Sequence, residues 1–193
     1  GEDFRQHKAI GQVGDVFGDQ NVMKSLSGHA AIGHNRYSTT GDPSTSNVQP
    51  IYADFEFGGL ALAHNGNLTN ALKLRKELVK SGSIFQSTTD TEVIIHLLAT
   101  SRGPVAERVI TALRLIEGAY SLVCLTKKKL IGVRDPLGVR PLVLGKLGDA
   151  YIFASEEYPE WVGSQFNDAM AILIEGEPEY PAHLLATDRN IAL

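Results

Sequence analysis

A chain of 193 residues is long enough for one domain with a substantial core. Apolar residues make up 43% and charged residues 21%, a globular balance, and a formal net charge of −4 gives no basic field for nucleic acid. One cysteine excludes an internal disulfide and a cysteine-rich metal site and fits a reducing cytoplasm, and no apolar run reaches membrane length.

The opening, GEDFRQHKAIGQVGDVF, has no initiator methionine and reads as the middle of a domain, so residues are expected ahead of Gly1. Short strands are predicted over 30–37 and 58–64. A helix follows over Leu68 to Lys80, with Leu68, Ala71, Leu72, Leu78 and Val79 mostly on one face and Ser81-Gly82 as its stop. A second helix, TEVIIHLLATS, has Asp90 at the N-cap position and Glu92 in its first turn. A third begins at Pro104, carries Val105, Val109, Ile110, Leu113 and Ile116, and stops at Gly118. Strands return over 119–126, 130–135, 140–145 and 150–156, with Lys127-Lys128-Lys129 read as a solvated hairpin turn. Spacings of about ten residues indicate antiparallel hairpins. AMAILIEG offers one more strand, and the text after Glu156 has no clear period. Helices in the middle and strands at both ends argue for an α+β layered domain.

Four stretches combine polar side chains with the ends of these elements. In GHNRYSTTG, Arg36 presents a donor fork suited to a carboxylate, and Ser38, Thr39 and Thr40 can complete the cradle. The plainer reading is a surface arginine paired with an acid. In AHNGNLTNA, the Asn65 side-chain NH2 and the Gly66 backbone N–H can converge on one oxygen, as an oxyanion requires. Asn-Gly is also a common turn dipeptide, and on this stretch alone a turn is the first reading. In STTDTEV, Asp90 is either a helix N-cap or an anion for an ammonium group. In RDPLGVRPLVLG, Asp-Pro-Leu-Gly reads as a tight turn, with Arg134 and Asp135 close enough to pair.

Three of these form a set. Arg36 for a carboxylate, Asp90 for an ammonium and Asn65-Gly66 for an oxyanion describe an α-amino acid attacked at its side-chain carbonyl, with glutamine the natural candidate. There is no G-x-S-x-G elbow and no H-E-x-x-H pair, and each histidine is first a structural hydrogen-bonding residue. Cys124, within SLVCL, reads as a buried, inert thiol.

The stretches GHNRYSTTG, NVQP, AHNGNLTNA, STTDTEVIIHLLA, GAYSLVCLT, LIGVRDPLGVRPLVLG and FASE resemble the glutaminase domain of the glutamine phosphoribosylpyrophosphate amidotransferase family, from about Lys8 to Glu156. The wording is closer to that family than to the glucosamine-phosphate or asparagine synthetases. The resemblance implies a four-layer αββα sandwich of the N-terminal-nucleophile hydrolase type, mainly antiparallel. It implies that Arg36, with Thr39, binds the glutamine carboxylate, Asp90 its ammonium, and Asn65 with Gly66 the oxyanion. In the family an N-terminal cysteine attacks the amide carbon, and ammonia passes to a phosphoribosyltransferase domain that makes phosphoribosylamine, the first committed step of purine synthesis.

These expectations set limits as well. The nucleophile strand and the phosphoribosyltransferase domain, with its Mg2+, lie outside the 193 residues, so the chain by itself is expected to be inactive and to carry no cofactor. One cysteine cannot ligate the iron–sulfur cluster of some family members. Glutamine and the second domain are the expected partners, with no nucleic acid and no membrane, in a cytoplasmic homo-oligomer when full length. Two other readings stay open: a glutaminase serving another acceptor, such as fructose 6-phosphate, and a non-catalytic glutamine-binding module.

Overall fold

The structure is a computed structural model that describes residues 4–35, 45–147 and 149–155, together with the strand backbones of 172–175 and 183–186. Its helices are α1 (Val13–Phe17), α2 (Gln20–Ser25), α3 (Ala71–Lys80), α4 (Thr91–Thr100) and α5 (Val105–Leu113). Its strands are β1 (Ile51–Phe55), β2 (Gly58–Leu68), β3 (Gly118–Thr126), β4 (Leu130–Arg134), β5 (Val143–Leu147), β6 (Ala150–Ala154), β7 (Ile172–Glu175) and β8 (His183–Ala186). A five-stranded sheet runs β1-β2-β3-β4-β8, and a three-stranded sheet runs β5-β6-β7. All pairings are antiparallel except β4 with β8. The class is therefore α+β and mainly antiparallel.

Period-two alternation in β2, β3 and β4 sorts the core into two layers. Leu60, Leu62, Tyr120, Leu122, Cys124, Ile131 and Val133 face helices α3 to α5. Ala61, Ala63, Val123, Leu125 and Leu130 face the second sheet, where Phe153 of β6 and Leu142 meet them. Small residues on that face let the sheets approach. A Cβ on Gly132 would lie 2.6 Å from Phe153 Cε1. Gly132→Ala should therefore destabilise the domain by about 1–3 kcal/mol through overpacking, read as a lowered melting temperature. An unchanged melt would mean that Phe153 has room to move.

Several boundaries differ from the sequence reading. β2 continues through Leu68, paired with Gly118, so the helix starts at Ala71 rather than Leu68. Its buried face is Leu74 and Leu78, whereas Leu72 and Val79 are 76% and 52% exposed. α5 ends at Leu113, and Gly118 opens β3 at φ 140°, where a Cβ would collide with the Asn67 carbonyl oxygen. Over residues 30–35 the expected strand reduces to a bridge at Ala30. The strand expected over 140–145 begins at Val143 because Arg140 is held in the preceding turn. β1 has no counterpart in the sequence reading, because at the sheet edge its residues are mostly half-buried and show no clean alternation. The Lys127-Lys128-Lys129 turn is a hairpin: Thr126 Oγ1 accepts the N–H groups of Lys128 and Lys129 at 3.3 and 2.9 Å.

Candidate active site

The end of β2 organises the site. Residues 60–68 of β2 all pair with β3, but on the other side β1 stops at Ile51, opposite Leu62. The edge of β2 from His64 onward is thus open to groups other than a strand. Gln49 acts there as a substitute strand: its Oε1 accepts the His64 N–H at 2.7 Å and its Nε2 donates to the His64 carbonyl at 3.2 Å. Four residues further on the same edge, Asp90 Oδ2 accepts the Leu68 N–H at 2.9 Å. Gly66 lies between them. Strand alternation turns its N–H to this same edge, because Tyr120, its partner across β3, gives its carbonyl to Asp135 N–H on the opposite side at 2.8 Å.

Gly66 is exposed and adopts φ 143°. A Cβ there would run into the Ala119 carbonyl oxygen and lie 2.8 Å from Tyr120 Cα. The glycine is required by close strand approach, and the turn reading of Asn65-Gly66 is overturned because both residues sit inside a continuous ladder.

Asp90 also departs from the plainer reading. It occupies the position before α4, but its side chain makes no cap hydrogen bond. Its Oδ1 lies 3.5 Å from His64 Nδ1, and His64 Nδ1 is 3.2 Å from Thr91 Oγ1. Burial pulls the Asp90 carboxyl upward, but the hydrogen bond and charge of His64 and the Leu68 N–H outweigh it and leave the group below the ordinary carboxylate range. Glu92 instead reaches back from the first turn, accepting from Gln86 N, Ser87 N and Ser87 Oγ, each at 2.7 Å. Asn47 steadies the same loop, with Oδ1 accepting the Thr88 N–H at 3.0 Å. The NVQP stretch thus braces both arms of the site through Asn47 and Gln49.

Asn65 projects from the opposite face of β2. Its Oδ1 accepts from Arg140 Nη2 at 2.7 Å and its Nδ2 donates to Ser155 Oγ at 2.9 Å. Sequence reasoning did not single out Arg140 or Ser155; only the stacking of the two sheets brings the turn between β4 and β5 and the end of β6 to Asn65. Arg134 and Asp135 do not pair among the described residues. Arg134 donates to the carbonyls of Arg140 and Gly138, and Asp135 collects the N–H groups of Leu137, Val139 and Arg140. Arg36, Ser38, Thr39 and Thr40 lie outside the described residues. Cys124 is buried in β3, and burial pushes its thiol up to about 12. No cluster of three or more metal-ligating side chains occurs among the described residues.

A family model described as a glutamine amidotransferase domain matches residues 34–158. The chain belongs to the glutamine amidotransferase domain family. The amidotransferase chain is 44% identical over 185 residues to an amidophosphoribosyltransferase of Rhizobium etli, covering 93% of this chain and 37% of that one. It is 48% identical to the chloroplastic amidophosphoribosyltransferase 2 of Arabidopsis thaliana, covering 94% and 31%. A solved structure titled as the allosteric regulatory enzyme of purine biosynthesis superposes with a TM-score of 0.72 at 42% identity, over 76% of this chain and 32% of that one. The glutamine phosphoribosylpyrophosphate amidotransferase of Bacillus subtilis, complexed with ADP and GMP, gives 0.60 at 42% identity, over 64% and 27%. The amidotransferase chain thus spans about a third of these relatives, with which it shares the N-terminal-nucleophile-type fold.

Proposed function

We propose that this domain releases ammonia from glutamine for transfer to phosphoribosylpyrophosphate, giving phosphoribosylamine in purine synthesis. The observation that carries the reading is the open edge of β2. There Gly66 N–H is held between the Gln49 and Asp90 anchors, one residue from the Asn65 carboxamide. Asp90 supplies a carboxylate for the substrate ammonium, and Arg36 with Thr39 supplies the carboxylate cradle. Asn65 Nδ2 and Gly66 N–H take the charge that develops on the amide oxygen.

The nucleophile is a cysteine outside these residues. Cys124 is the only thiol in the sequence, and burial in β3 keeps it protonated. In the proposed reaction a thiolate attacks the amide carbon, ammonia leaves with a thioester formed, and water then frees glutamate. The relatives' greater length supports a further domain, which we propose to be a phosphoribosyltransferase domain that takes the acceptor; its Mg2+ and an assembly of several copies belong to the same proposal. No helix of the described residues is long and apolar enough to cross a membrane. The reducing cytoplasm is the proposed compartment on the single cysteine, although plant relatives are described as chloroplastic.

The test uses the full-length protein with a free N-terminal cysteine. Glutamate release should accelerate with phosphoribosylpyrophosphate, and a glutamine-mimicking electrophile should label the N-terminal cysteine. Cys124→Ala should keep turnover. Labelling at Cys124 would overturn the assignment of the nucleophile. Stimulation by fructose 6-phosphate alone would move the acceptor. Glutamine binding without glutamate release would leave a binding module.

A further inference from the structure

The geometry points to Arg140 as a positioning residue that fixes which end of the Asn65 carboxamide faces the reacting atoms. This rests on the reading of Asn65 as an oxyanion donor. The two ends of a carboxamide are nearly the same size but opposite in sense, one a donor and the other an acceptor. Ser155 cannot choose between them, because a hydroxyl accepts from Nδ2 or donates to Oδ1 equally well. A guanidinium is donor-only, so Arg140 Nη2, at 2.7 Å, tolerates only Oδ1. The carboxamide nitrogen is thereby turned to the other side. The end turned to Ser155 is thus the donor end, which is the end a developing oxyanion requires. A flipped Asn65 would offer a lone pair to a developing negative charge and turn stabilisation into repulsion.

Arg140 is held in place for this task from both of its peptide groups. Its N–H donates to Asp135 Oδ2 and its carbonyl accepts from Arg134 Nε, each at 2.9 Å. Asp135 is buried and also takes the N–H groups of Leu137 and Val139, at 3.1 and 2.9 Å. Gly138, at φ 64°, closes the turn by donating to the Asp135 carbonyl at 2.9 Å. The far end is tied back to the same sheet: the Pro141 carbonyl accepts from Ser121 Oγ at 2.6 Å, and Ser121 is the residue opposite Asn65 in the β2–β3 register. The RDPLGVRP stretch is thus a bracket fastened on both sides of the asparagine it orients.

The experiment is a double-mutant cycle in the full-length protein. Active sites are titrated with a glutamine-mimicking electrophile, so only competent molecules are counted. Arg140→Gln keeps a polar side chain of similar reach but is no longer donor-only. It should lower kcat for glutamine by up to about a hundredfold, the scale of a misplaced catalytic group, with KM little changed. Arg140→Lys, still donor-only, should retain clearly more of kcat. In an Asn65→Ala background, Arg140→Gln should cost almost nothing further, since the group it orients is gone. Wild-type kcat in Arg140→Gln, or an undiminished loss in the Asn65→Ala background, would overturn the inference. If Asn65→Ala alone leaves kcat intact, the oxyanion reading itself falls. If Asn65→Ala is impaired and Arg140→Gln is not, only the role of Arg140 falls.

Discussion

Asn65→Ala should cut glutamine-dependent turnover by roughly a hundred- to a thousandfold, while the KM for glutamine moves little. The asymmetry follows from when the bond is made. The carboxamide meets a neutral carbonyl oxygen in the bound substrate and a charged one in the transition state, so its removal is felt in kcat. About 2.7–4 kcal/mol of transition-state stabilisation is at stake. Two structural costs compete with this reading, because the substitution also deprives Arg140 and Ser155 of a partner. A thermal melt measured beside the kinetics separates them. Lost stability with normal turnover per folded molecule would assign Asn65 to the scaffold. Turnover with free ammonia in place of glutamine should survive, since that route bypasses the pocket.

The sequence carried more of the fold than of the site. Strands such as β3 and β4 were legible because their apolar residues alternate strongly between two buried faces. Helices α3 to α5 were legible from their apolar faces and from signals such as the Ser81-Gly82 stop and Glu92 in a first turn, whereas α5 stops short of Gly118 and the short α1 and α2 have no counterpart in the sequence reading. β1 was obscured by its edge position, and among the described residues β8 pairs only with β4, in parallel and more than forty residues earlier in the chain, a distance no local pattern records. Within the site, residue types announced the chemistry but not the wiring. Asn-Gly looks like a turn in any local window. Only the β2–β3 register shows that Gly66 is needed for a close strand approach. Asp90 has the sequence position of a cap, yet Glu92 orders the loop before α4, which leaves the Asp90 carboxylate for Leu68 and His64. Arg140 lies 75 residues from Asn65, and pairing at that separation depends on how the sheets stack. Local rules failed most where several distant segments converge on a few side chains, as they do around β2.

The second large effect should come from Asp90→Asn. The substitution keeps an oxygen to accept the Leu68 N–H and removes the charge, so the fold should persist with a melt lowered only by the loss of the charged contact to His64. Removing one partner of a desolvated charge pair costs about 2–5 kcal/mol, so KM for glutamine should rise by roughly thirtyfold or more. The change should fall on KM rather than kcat, because the ammonium contact is the same in substrate and transition state. Equal losses with glutamine and with ammonia would show that Asp90 supports the fold rather than the substrate. The pH dependence gives an independent check. The Asp90 carboxyl sits below its ordinary value in the folded protein. A depressed acid contributes stability above its unfolded value and loses it as pH falls through the folded one. Its share of stability and its clamp on the ammonium should therefore be intact at every pH above about 4 and fade only below that. His64, the titratable neighbour that faces it, lies against Thr91 on the same side. If KM for glutamine in the parent protein rises between pH 5 and 7, a group other than Asp90 controls binding there. In that range Asp90→Asn should shift KM upward by a constant factor without altering the shape of the profile, because the charge it removes is already fully developed.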